Sequence, residues 1–226
     1  MKAGKTKARL ISPAGGAKAI NNKSFIATSL SNNPVALINK LPWIVQWASE
    51  NTIEFYFLIG DYIHRHNEIA LENLTPRKAM RSADAKATQV AAQISLALER
   101  VGRGRDVILK ASALAIEPDF DERFEEFFNS YRSRRQFREI IDQTVQSYLD
   151  RRRIYSSPSG KIWDHCVAYQ LEELVIFEKM VERGFGSLIY PGPQLPVIKA
   201  IVTGNLPGLS ERLQTLRLVE LRHFEE

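Results

Sequence analysis

The chain of 226 residues has one cysteine, Cys166, so no disulfide can form within it, and a lone thiol fits a reducing, cytoplasmic setting. No run of eighteen apolar residues occurs, so no membrane-spanning helix is expected. The basic start, Met1 to Lys7, leads into Pro and Gly rather than an apolar stretch, and is not expected to act as a secretory signal. No Cys/His cluster has zinc spacing and no EF-hand loop is present, so no metal is expected. Nor does a G-x-G-x-x-G or Walker loop follow any apolar run, which argues against a dinucleotide or nucleoside triphosphate, and no cofactor is expected. Nothing in the sequence sets His64, His66, His165 or His223 beside a serine, as a Ser-His hydrolase would need.

The apolar share, 44%, is ordinary for a globular chain, and the length suits one domain with a substantial core. Residues 1–22, basic and rich in Gly, Ala and Lys, are expected to be poorly ordered ahead of a domain over 23–226. The net charge of +5 is unevenly spread. Arg132, Arg134, Arg135 and Arg138 form one cluster and Arg151 to Arg153 another, while acids crowd Glu117 to Glu126. Clustered arginine points to a polyanionic partner; a solvated helix face explains it as well.

Phe25–Leu30 reads as a strand ending in hydroxyls. Pro42 suits the first turn of a helix. Ile53–Ile59 is apolar apart from Glu54, the pattern of a strand buried on both faces of a parallel sheet, and it stops at Gly60-Asp61. Thr75 caps a long predicted helix that Gly102 stops. Asp106–Ala111 and Ser187–Tyr190 are the third and fourth predicted strands. Glu117–Phe128, Tyr131–Arg153 and Ile162–Arg183 are predicted helices; Val197–Ile201 fits helix or strand, and Leu209–Phe224 an amphipathic helix. This alternation predicts an α/β fold, a single domain with a central, mostly parallel sheet flanked by helices. Ligands bind such sheets at the carboxyl ends of the strands, where Ser29, Ser31, Asp61 and Tyr190 fall. His64 and His66 are expected at the surface, Cys166 as a small buried hydrophobe, and Trp43, Trp47 and Trp163 in the core.

Tyr169 and Glu173 are four residues apart in a helical context and share one face with Ile176 and Phe177. A carboxylate on such an apolar face needs a charged partner. The plainer alternative is a surface carboxylate, as for Glu172 beside it. Glu173 brought together with the phenols of Tyr169 and Tyr190 would make an amine-binding, proton-moving site.

A strand ending in serine, Gln46-Trp47-Ala48, Leu58-Ile59-Gly60-Asp61, Tyr169 with Glu173, and Leu188-Ile189-Tyr190-Pro191 follow in this order. From about Lys23 to Ile201 the chain thereby resembles the tRNA-dependent cyclodipeptide synthases, in the branch with Tyr-Pro at the second tyrosine. The resemblance implies a Rossmann-like domain similar to the catalytic domain of class I aminoacyl-tRNA synthetases, without an ATP site. It implies two aminoacyl-tRNAs as partners, a diketopiperazine as product, and ping-pong acyl transfer through an aminoacyl-serine and a dipeptidyl-enzyme. Ser29 as nucleophile puts Ala27 at the family's small-residue position and Asn32 where another branch has asparagine; Ser31 puts Pro34 there, so both stay open. Tyr169 and Glu173 would bind the substrate ammonium, and Tyr190 would assist cyclisation. Ala27, Leu58, Gly60, Ile176 and Leu188 fall at pocket-lining positions, Gly60 leaving space or admitting a polar end. One departure concerns tRNA: Ala83–Leu98, where relatives are strongly basic, has Lys86 alone. The charge would come from Arg77, Lys78 and Arg81 before it, from Arg100 and Arg103 after it, or from Arg132, Arg134 and Arg135. A serine acyltransferase or hydrolase on a non-tRNA substrate, or a non-catalytic RNA-binding module, are the rival readings. Without a heptad or an extra apolar face, a monomer is expected.

Overall fold

The computed structural model describes residues 7–11, 20–30, 34–104, 107–156, 158, 160–191 and 196–222. Its centre is a six-stranded sheet of β1 (Lys7–Ile11), β2 (Ile20–Thr28), β3 (Thr52–Ile59), β4 (Ile108–Lys110), β5 (Ser187–Tyr190) and β6 (Arg217–Arg222). Five strands are parallel, in the order β6-β5-β2-β3-β4, and β1 lies antiparallel along the β6 edge.

The sequence of β3 explains why the sheet is covered on both sides. Phe55, Phe57 and Ile59 point to one face, where α1 (Pro34–Asn51) and α3 (Pro76–Glu99) pack. Tyr56 and Leu58 point to the other, beneath α7 (Lys161–Glu182). In α3 the buried residues Ala79, Ala83, Ala87, Val90 and Ile94 recur at helical spacing; Ala87, Val90 and Ile94 join the core on this face of the sheet, while the start of the helix packs against the helix that precedes it. The α7 side is completed by α2 (Asp61–Leu71), α4 (Ser112–Ala115), α5 (Phe120–Ser133), α6 (Arg135–Arg152), α8 (Pro196–Val202) and α9 (Glu211–Gln214). Ten consecutive residues of α7, Leu171 to Met180, are buried, so this helix is enclosed on every side.

Four elements differ from the expectation. Lys7–Ile11, expected to be poorly ordered, pairs along β6. Pro34, not Pro42, begins α1, and Pro42 lies within it. Asp61–Leu71 forms a separate helix in which His64 and His66 are buried rather than at the surface. The predicted C-terminal helix over 209–224 is instead a single turn, α9, followed by β6. No helix among the described residues is long and apolar enough to cross a membrane.

Candidate active site

The register of the parallel strands builds the site. Ala27 lies beside Leu58 on β3, and Ile26 beside Ile189 on β5, so Tyr190 follows next to Ala27. Leu58, Ala27 and Tyr190 therefore form one lateral row on the α7 face, with Ser29 two residues beyond Ala27 on the same side. Above this row, α7 brings down Tyr169, whose hydroxyl is 3.5 Å from Ser29 Oγ. Glu173 follows one turn later. Ser31 lies outside the described residues.

Because α7 is enclosed, each of its buried charges needs a partner. Glu172 has a bidentate bridge to Arg65, at 2.7 and 2.6 Å, and lies 3.1 Å from His66. Glu178 accepts from Ser210 and lies 3.3 Å from Arg123. Lys179 reaches Asp119 and Glu117. Glu173, 6% exposed, forms no ion pair among the described residues, and burial alone pushes its carboxyl up to about 8. It is therefore mostly neutral at pH 7 when no cation lies beside it. Glu172, read from the sequence as the example of a surface carboxylate, is in fact buried and paired.

Both phenols are held protonated. Burial raises Tyr169 well above the ordinary tyrosine range, with nearby Glu173 adding to it. Burial and Glu173 raise Tyr190 likewise, opposed by Arg151. Neither phenol can serve as a base near neutral pH; each is a hydrogen-bond donor. Tyr148 of α6 also acts on Tyr169, and Arg152 lies with its guanidinium carbon 5.7 Å from the Tyr148 ring centre. The end of α6 thus borders the site, and the sequence had not placed it there. Only the adjacency of its three arginines to a loop hinted at a role.

The pocket-lining positions occupy two levels. Ala27 and Leu58 lie level with Tyr190, while Leu188 sits one row down beside Phe25, and Ile176 one turn below Glu173 on α7. All four are buried in the core cluster under the site. Gly60 departs from the expectation: a Cβ there would meet Ile63 Cδ1 at 3.1 Å, so the first turn of α2, not open space, stands in front of it. Asp61 caps α4, accepting from Ser112 N–H at 2.9 Å and Ser112 Oγ at 2.6 Å.

The histidines are engaged elsewhere. His64 lies 3.0 Å from Glu68, and burial lowers its imidazole to about 4. His66 Nδ1 lies 3.0 Å from His165 Nδ1. His223 is outside the described residues. Cys166 is buried, and burial pushes its thiol up to about 11. Among the described residues, no group of three or more His, Cys, Asp or Glu side chains could hold a metal ion.

The three basic groups are widely separated. Asp84 of α3 bonds Lys110 at the carboxyl end of β4, which fixes the height of α3 against the sheet. Arg77, Lys78 and Arg81 are exposed just before that level, on the site's side. Arg100 and Arg103 lie about 35 Å from Arg77 along the helix, at the opposite end of the sheet. Arg132 lies over Phe128, Arg134 donates to the Pro207 carbonyl at 3.2 Å, and Arg135 pairs with Glu139 at 2.7 Å. This third group sits at the start of α6, about 25 Å from the end that borders the site. The structure thus brings only the first group to the site's end of the sheet.

A family model described as cyclodipeptide synthase matches residues 25–181. No curated protein matches the chain. Among solved structures, a cyclodipeptide synthase from Fluoribacter dumoffii superposes with a TM-score of 0.82 at 16% identity, covering 98% of this chain and all of that one. A Mycobacterium tuberculosis protein, whose structure is described as relating cyclodipeptide synthetases to type I tRNA synthetases, gives 0.69 at 16% identity, over 90% of this chain and 87% of that one. A cyclodipeptide synthase from Candidatus Glomeribacter gigasporarum, bound to Phe-tRNAPhe, gives 0.59 at 19% identity, over 90% and 88%.

Proposed function

The chain belongs to the cyclodipeptide synthase family of tRNA-dependent aminoacyl transferases, and we propose that it joins two aminoacyl groups into a diketopiperazine by ping-pong transfer through Ser29. The observation that carries this reading is Glu173: among the described residues it alone of the buried charges of α7 lacks a partner, and it lies one turn from the tyrosine that touches Ser29. A buried, unpaired carboxyl facing a nucleophile is suited to receive a cation, and the α-ammonium of an aminoacyl group supplies one.

Ser29 Oγ attacks the ester carbonyl of the first aminoacyl-tRNA, and the departing ribose oxygen takes the serine proton, since neither phenol can. The aminoacyl group is now esterified to Ser29. Its amine enters neutral, takes the proton of Glu173, and rests as an ammonium–carboxylate pair without net proton exchange with solvent. Burial holds Glu173 up to about 8, close to the 7.7–8.0 of an ordinary α-amine, so the proton can pass back to the carboxylate at modest cost. Returning it to Glu173 frees the amine to attack the ester of the second aminoacyl-tRNA. This order keeps the dipeptide on Ser29 and releases the second tRNA. The new terminal amine then attacks the Ser29 ester, its proton passes to the serine oxygen, and the ring leaves. Tyr190, protonated and one strand away, relays that proton, giving its own to the serine oxygen as it takes the amine's, and so stays protonated. As the ester substrate is already activated, the reaction needs no ATP.

The test is intact-protein mass spectrometry after mixing with charged tRNA, alongside mass analysis of released cyclic dipeptides. Wild type is expected to gain one aminoacyl mass, localised to Ser29, and Ser29→Ala to gain none and form no product. Acylation that survives Ser29→Ala but is lost in Ser31→Ala would move the nucleophile. Absence of both adduct and product from folded wild type would reject the reading.

A further inference from the structure

The end of α6 has an unusual composition for a helix stop. Arg153 occupies the left-handed position, φ 56°, with its N–H bonding Asp150 O, while Ile154 N–H bonds Leu149 O. This is the Schellman stop, a position where glycine is favoured because a side chain there is strained. Arginine stands there instead, exposed, directly after Arg151 and Arg152. Ile154 is packed against the core, which fixes the turn, and Tyr155 then projects almost wholly into solvent at 98% exposure. The other six tyrosines are buried or partly buried. No packing role accounts for an arginine in a glycine position beside a tyrosine that covers nothing.

The location gives the pair its use. Arg152 lies over Tyr148, at the edge of the core cluster that carries Tyr169 and Tyr190, and Tyr155 is within about 11 Å of it along the chain. Arg151 is close enough to Tyr190 for its charge to act on the phenol. On the functional reading above, this turn is placed to meet the nucleotide end of an aminoacyl ester bound at Ser29. Cationic side chains that meet phosphates, with an exposed ring on which a base can stack, are the means of holding a single strand without reading its sequence. We propose that Arg151, Arg153 and Tyr155 grip the single-stranded 3′ end of aminoacyl-tRNA, the arginines on its phosphates and Tyr155 stacked on a terminal base. This rests on the functional reading above. It assigns the end grip to a different element from the basic residues that start α3, which lie on the α2–α3 side and are free to meet the duplex.

The experiment uses fluorescently labelled, uncharged tRNA and the same tRNA lacking its last three nucleotides, bound to the full chain over a salt series. Wild type is expected to bind the intact tRNA about tenfold more tightly, within the range of base stacking on one ring, and Tyr155→Ala to lose that preference. Arg151→Ala and Arg153→Gly are each expected to reduce the slope of log affinity against log salt by about 0.7. Arg153→Gly should melt at the same or a higher temperature, since glycine suits φ > 0, so weaker binding cannot be put down to unfolding. Equal binding of both tRNAs by wild type, or variants with an unchanged preference and slope, would overturn the proposal. Cyclic dipeptide formation by wild type, run in parallel, separates the two failures. If product forms while the grip tests fail, only the grip is wrong; if neither product nor tRNA binding is seen, the functional reading falls and the grip with it.

Discussion

Replacing Glu173 by glutamine should stabilise the fold while abolishing the reaction, and the stabilisation should grow with pH. In the folded chain the Glu173 carboxyl keeps its proton up to about 8, whereas the ordinary value is 4.5. Between those values the native state binds more protons than the unfolded state, so stability falls as pH rises. At about 1.4 kcal/mol per pH unit, wild type carries a penalty of about 3 kcal/mol at pH 7 and about 5 kcal/mol above pH 8, relative to acid conditions. Glutamine, with no charge to bury, carries neither. A domain of this size shifts in melting temperature by about 2–4 °C per kcal/mol, so Glu173→Gln should melt roughly 10–20 °C above wild type at pH 9, and little above it at pH 4.5. Thermal melts of both proteins from pH 4.5 to 9 at fixed ionic strength measure the gap. A gap that stays constant across that range would refute the reasoning, because it would mean that Glu173 already has a charge partner in the folded state.

Three further outcomes follow from particular contacts. Glu172→Ala leaves the partly buried Arg65 without its bidentate partner, and urea unfolding should show a loss of about 2–4 kcal/mol. Gly186→Ala puts a Cβ 2.5 Å from Asn22 Nδ2, whose amide oxygen accepts from Ser187 at 2.8 Å; a loss of about 1–3 kcal/mol in urea is expected. Tyr169→Phe removes the hydroxyl beside Ser29, and rapid-quench measurement should show acyl-enzyme formation slowed about tenfold or more, with the melting temperature little changed.

The elements legible in the sequence were those whose apolar pattern is unambiguous. β3 reads as a doubly buried strand because Phe55 to Ile59 is an unbroken apolar run, and α3 because its alanines recur at helical spacing. β6 was misread because Leu209, Leu213, Leu216 and Val219 also fit a helical face. The structure resolves that ambiguity by tertiary pairing: Leu218 packs on one side of the sheet, Val219 and Leu221 on the other. α2 was missed since, apart from Ile63 and Ile69, its buried residues are polar, and partners of its histidines and Glu68, among them Glu172, Lys86 and His165, come from distant helices. Hydropathy has no means of registering such pairs. Of the candidate site, Ser29, Tyr169, Glu173 and Tyr190 stand in short motifs of the sequence, whereas the approach of Tyr148 and Arg151 depends on how α6 crosses α7, a packing angle that spacing does not encode.

The antiparallel contact of β1 with β6 has a consequence for how the chain acquires its fold. Lys7 to Ile11 meet Arg222 to Leu218 across more than 200 intervening residues, so this edge has the largest loop-closure cost of any strand pairing in the sheet. Contacts of such long sequence separation are expected to form after the local helices and the β2–β3 pair. Until they do, β6 has a partner only on its β5 side, and β5 is the strand that carries Tyr190. The strand leading to the proposed nucleophile, Ser29, can therefore be in place while the sheet beyond the tyrosine proposed for ring closure is still incomplete, and refolding should restore aminoacylation before it restores cyclisation.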